Sequence, residues 1–99
     1  MSQPETKPSA KPKTHQPRCY KVILLNDNYT PQEFVVSVLR KVFRLTTDQA
    51  SRVMITAHMK GSCVVVVLSK DIAETKAQEA NEMGKQEGYP LQFTTEPEE

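Results

Sequence analysis

Glycine is scarce in this chain. Gly61, Gly84 and Gly88 are the three present in 99 residues, and they stand isolated, which excludes a glycine-rich loop cradling phosphates. Cysteine is rarer still: Cys19 and Cys63 lie far apart, which rules out a disulfide framework and fits free thiols in a reducing compartment. His15 and His58 have no cysteine or histidine at ligand spacing, so no tetrahedral metal set can be assembled. No apolar run approaches the ~18 residues of a membrane span. The first residues also lack the apolar core of a signal peptide. A net charge of +1 gives no footprint for nucleic acid or an anionic membrane. Nor is there a catalytic set: Cys63 falls inside an apolar run, where a small core residue is the simplest reading, and His58 has no nucleophile beside it in sequence. The chain therefore reads as a non-enzyme without cofactor or metal.

The front of the chain lacks something else. Met1 to Pro17 holds Pro4, Pro8, Pro12 and Pro17 but no Leu, Ile, Val or Phe. Such a segment cannot bury enough apolar surface to offset its conformational entropy. Residues 1–18 are expected to be a disordered extension, 19–95 a single folded domain, and 96–99 a polar tail.

What is present concentrates at one corner. Tyr20 to Leu25 is an apolar strand of Tyr, Val, Ile and Leu that stops at Asn26, Asp27 and Asn28. A helix then starts, with Thr30 as expected N-cap, Pro31 in the first turn and Glu33 completing a capping box. Asn26 and Asp27 thus fall in a fixed corner. They either bond their own backbone, as turn residues do, or offer acceptors to a cation that carries N–H donors.

The rest follows from periodicity. Phe34, Val35, Val38, Leu39, Val42 and Phe43 make one apolar stripe on a helix to about Arg44. Thr46 or Thr47 caps a second helix carrying Ala50, Val53, Met54 and Ala57, which Lys60 and Gly61 stop. Cys63 to Leu68 reads as a strand central in its sheet or covered on both faces. Ser69 and Asp71 open a third helix, which Gly84 and Gly88 end, and Leu91 to Thr95 is a last strand. The order β-α-α-β-α-β predicts an α+β domain, a three-stranded antiparallel sheet with three helices.

Three segments carry a family resemblance: Asn26-Asp27-Asn28-Tyr29-Thr30-Pro31-Gln32-Glu33-Phe34-Val35, Ala57-His58-Met59-Lys60-Gly61, and Ala73-Glu74-Thr75-Lys76. In order and spacing they resemble ClpS, the adaptor of the AAA+ Clp proteases, and the likeness runs roughly from Tyr20 to Thr95. It implies an adaptor that recognises bulky hydrophobic N-terminal residues, or N-degrons. The substrates would pass to the N-terminal domain of a ClpA- or ClpC-type unfoldase working with ClpP. Asn26, Asp27 and His58 would bind the substrate's α-amino group. Gln32, Val35, Met54, Ala57 and Leu91 would line the pocket for its first side chain, with Asn28 and Thr30 at the mouth. Glu74 and Lys76 would dock on the unfoldase, and the N-terminal extension would engage it during hand-off. The implied protein is a monomer in the bacterial cytoplasm, with the plastid stroma as the less favoured location.

The chain departs from the commoner ClpS pattern at three positions. Asn28 stands where a second Asp is frequent, Gln32 replaces a frequent Met, and Ala57 replaces a larger aliphatic. The first lowers the charge near the ammonium, and the others change the gate and wall of the pocket. The preference among Phe, Tyr, Trp and Leu is thereby open. Two other readings stay beside this one: an N-degron-recognition domain of ubiquitin-ligase type, and an unfoldase regulator that binds no degron.

Overall fold

The computed structural model describes residues 18–99. The expected disordered extension, apart from Arg18, lies outside the described residues. β1 (Cys19–Leu25) leads to α1 (Gln32–Phe43) and α2 (Thr47–Lys60), then β2 (Ser62–Ser69), α3 (Lys70–Gln86) and β3 (Gln92–Pro97). The strands form one antiparallel sheet in the order β2-β1-β3, so the first strand is central. Three helices with a three-stranded antiparallel sheet is the architecture expected from the sequence.

Burial alternates along β1. Val22 and Leu24 are buried while Lys21, Ile23 and Leu25 are half-buried, as for a sheet packed on one face. Against Val22 and Leu24 pack Val38, Leu39, Val42 and Phe43 of α1 and Phe93 of β3, with Phe43 and Phe93 at 5.3 Å between ring centroids. The helix lying over the sheet, α3, buries only small residues: Ala73, Ala77, Ala80 and Gly84. Their size lets its backbone come close to the strands.

Four expectations need correction. β2 is neither central nor covered on both faces. It is an edge strand, and Val64 and Val67 stay 45% and 38% exposed. A run of valines favours extended backbone whether or not it is buried, so the run alone could not place the strand. The predicted capping box at Thr30 is not formed either. α1 begins at Gln32 with Pro31 in the cap position, and the Thr30 hydroxyl donates instead to Asp27 Oδ2. Gly84 does not end α3 but lies buried within it, and Gly88, at φ +78°, makes the turn. The last strand continues through Pro97, with Glu96 opposite Lys21.

Other signals act as read. Thr46 caps α2 through a full capping box with Gln49, and Gly61 at φ +94° closes it.

Candidate functional site

Leu25, the last residue of β1, pairs with Ser62, the first of β2. One residue on, the Asn26 N–H donates to the Gly61 carbonyl at 3.0 Å. Gly61 in turn donates its N–H to Ala57 at 2.8 Å, closing the last turn of α2, in which His58 sits. The end of β1 is thus tied to the end of α2. Asn26 and His58, distant in sequence, are brought to the same end of the fold by these two backbone bonds.

Asp27 holds the corner. Its Oδ1 accepts the backbone N–H of Tyr29 at 2.8 Å and of Thr30 at 2.7 Å, and its Oδ2 accepts the Thr30 hydroxyl at 3.0 Å. The carboxylate engages the Thr30 hydroxyl that would otherwise have been free to cap the helix, and α1 starts without a side-chain cap. A carboxylate has about four acceptor positions, so one on Oδ2 is left for a further donor.

Beside this corner is a half-open cavity of about 160 Å³. Its apolar lining is Leu24, Leu25, Val35, Met54, Ala57 and Leu91; its polar lining is Asn26, Asp27, Asn28, Thr30, Gln32 and His58. Val35, Ala57 and Leu91 are buried and Met54 half-buried, whereas Asn28, Gln32 and His58 are exposed at the mouth. Every residue assigned from the sequence to the amine site and pocket lies on this cavity. Leu24 and Leu25 were not expected there. The signal was available, because the last residues of a strand must flank the corner that follows it.

Glu74 and Lys76 are not brought together. Residues two apart on a helix do not share a face, and these flank the buried Ala73–Ala77 stripe on opposite sides. Glu74 borders a shallow groove with Asn81, Phe93 and Thr95. Cys63 is half-buried, and burial pushes its thiol up, opposed by Lys60 and by a hydrogen bond with Thr56. A thiol held in its neutral form is a poor nucleophile. Among the described residues no three His, Cys, Asp or Glu side chains gather as a metal site, and no helix is long and apolar enough to cross a membrane.

What this geometry can do is bind: a polar rim of acceptors surrounds an apolar recess. Known proteins resemble the chain in sequence and fold. Residues 15–94 match the family model of the ATP-dependent Clp protease adaptor protein ClpS. The chain is 62% identical over 96 residues to the Clp protease adapter protein ClpS 1 of Rhodopseudomonas palustris, covering 97% of this chain and 93% of that protein. It is 60% identical over 98 residues to ClpS 2 of Mesorhizobium japonicum, covering 99% and 95%. Among solved structures, Agrobacterium tumefaciens ClpS2 bound to L-phenylalaninamide superimposes with a TM-score of 0.82 at 63% identity, over 84% of this chain and all of that one. The class is therefore an adaptor of the ATP-dependent Clp protease. The chain belongs to the ClpS family.

Proposed function

We propose that this adaptor recognises N-degrons: it binds the first residue of a protein and delivers that protein to a ClpA- or ClpC-type unfoldase with ClpP, in the bacterial cytoplasm. The α-ammonium would sit among the Asn26 amide oxygen, the remaining Asp27 acceptor and a neutral His58 imidazole. Three N–H donors would then meet three acceptors. The first side chain would enter between Val35, Met54, Ala57 and Leu91. Glu74 and Lys76 would dock on the unfoldase, through two separate contacts rather than one patch.

The observation that carries this reading is the meeting of an acceptor-rich rim and an apolar recess in one cavity of about 160 Å³. An apolar cavity of about 150 Å³ holds a benzene ring, so the size suits a phenyl side chain. The relative bound to L-phenylalaninamide supports it further, because that ligand joins a free α-amine to a benzyl group. One observation favours the rival reading of a purely structural corner, namely the three bonds Asp27 makes to its own loop.

Magnitudes fit a reversible receptor. Burying a Phe or Leu side chain contributes about 1.5–3 kcal/mol. Each charge-assisted hydrogen bond adds about 1.5–3 kcal/mol. With two or three such bonds the sum is about 4.5–12 kcal/mol, and subtracting an association cost of at least about 4 kcal/mol leaves an affinity of micromolar order at the tightest.

The test is acetylation of the amine, which removes its charge and two of its donors. Fluorescence anisotropy should show a Phe-starting peptide binding at least ~10-fold more weakly once acetylated, about 1.4 kcal/mol. Equal affinity for both forms would overturn the reading and leave the corner structural.

A further inference from the structure

We propose that Gly84, a residue outside the cavity, sets how large a first side chain the cavity admits, by fixing how far Leu91 stands into it. This rests on the reading of the cavity as the site for a first residue.

The chain reaches Leu91 through a tight turn. Gly88 donates to the Lys85 carbonyl at 3.0 Å and Tyr89 to the Gly84 carbonyl at 2.9 Å, the pair of bonds that closes a helix on a left-handed residue. The turn folds the chain back on α3. Tyr89 then packs edge-on against Phe34, at 5.0 Å between ring centroids, and Leu91 lands on Gly84. A Cβ at position 84 would lie 2.8 Å from Leu91 Cβ, and 3.5 Å and 3.6 Å from its Cδ2 and Cγ. Because the closest atom is Cβ, a change of rotamer cannot relieve the overlap, and the backbone of Leu91 would have to move.

Its freedom to move is restricted. Two residues on, the Asn81 side chain holds both backbone groups of Phe93: Phe93 donates its N–H to Asn81 Oδ1 at 2.7 Å, and Asn81 Nδ2 donates to the Phe93 carbonyl at 3.0 Å. Asn81 and Gly84 are on the same helix, one clamping the strand and the other receiving Leu91. With sliding along the strand blocked, the displacement left to Leu91 is away from α3. Leu91 lines the cavity, so that displacement narrows it. Gly84 is on this account a positioning residue acting through Leu91. A merely structural glycine, there to let α3 approach the sheet, would alter stability and shift all peptides alike.

The experiment titrates peptides that differ only in a first Leu, Phe or Trp, together with the acetylated Phe form, against the parent, Gly84→Ala, Leu91→Ala and the double variant. Gly84→Ala should lower the Trp-to-Leu affinity ratio at least ~10-fold, about 1.4 kcal/mol. Leu91→Ala should raise the ratio, and in that background Gly84→Ala should change it far less than it does in the parent, because the side chain it pushes into the cavity is gone, a non-additivity expected of residues in contact. A ratio unchanged in Gly84→Ala would overturn the proposal. If Gly84→Ala does not fold, Leu91→Ala still decides, because an unchanged ratio there would show that Leu91 does not limit the cavity. A parent that binds free and acetylated peptides alike would remove the reading of the site and this proposal with it. A parent selective for the free amine, with the ratio unmoved in the variants, would remove the proposal alone.

Discussion

Three of the roughly four acceptor positions on the Asp27 carboxylate are taken by Tyr29 and Thr30. Removing that side chain would loosen the corner and the amine site together, so Asp27→Ala cannot separate them. Asp27→Asn keeps an oxygen for the two backbone N–H groups and removes the negative charge. His58 offers a cleaner test, because it is exposed and caps nothing in the corner. His58→Ala removes the imidazole acceptor and should weaken a Phe-starting peptide more than its acetylated form, narrowing the gap between the two. Anisotropy with both peptides checks this. A His58→Ala variant with the parent's full preference for the free amine would show that His58 does not contact it.

At the scale of elements, two stretches share one capping pattern, Thr30-x-x-Glu33 and Thr46-x-x-Gln49. The second forms a capping box; the first does not, because Asp27 lies three residues before Thr30 and takes both its N–H and its hydroxyl. The two threonines should respond differently to mutation. Thr46→Ala should cost about 1 kcal/mol of stability in urea unfolding and leave peptide affinity alone. Thr30→Ala removes a bond that fixes the cavity rim, and should weaken peptide binding as well as stability. An equal effect of both on affinity would mean that the corner does not shape the site. Arg44 adds a further element test. It ends α1 in the left-handed region at φ +62°, where glycine carries no Cβ penalty. Arg44→Gly should raise stability by roughly 0.5–1 kcal/mol.

At the scale of the whole molecule, recognition and delivery should separate. All the residues described as lining the cavity lie between Leu24 and Leu91. Deleting Met1–Pro17 should therefore leave peptide affinity unchanged, since that segment brings no Leu, Ile, Val or Phe to the fold. Delivery should suffer, because the extension is the part expected to engage the unfoldase. Peptide anisotropy paired with degradation of a Phe-starting reporter by the reconstituted protease checks both halves. A shortened protein that degrades the reporter at the parent rate would refute the hand-off role. One that loses peptide binding would place part of the site in the extension.

The sequence by itself determined what is local. Period and cap residues marked the helices and strands, since side-chain spacing and the first turn of a helix are settled within a few residues, as at Thr46 and Gly61. The corner at Asn26 and Asp27 was legible for the same reason. Only the tertiary structure decided the rest. Which strand is central depends on how the chain returns after each helix, and four valines in a row carry no information about that. Asn26 and His58 came to line one cavity through backbone bonds at Gly61, across more than thirty positions of sequence. Gly84 carries the sequence signal of a helix stop yet lies within α3 against Leu91, because glycine's missing side chain serves a turn and a close approach equally well.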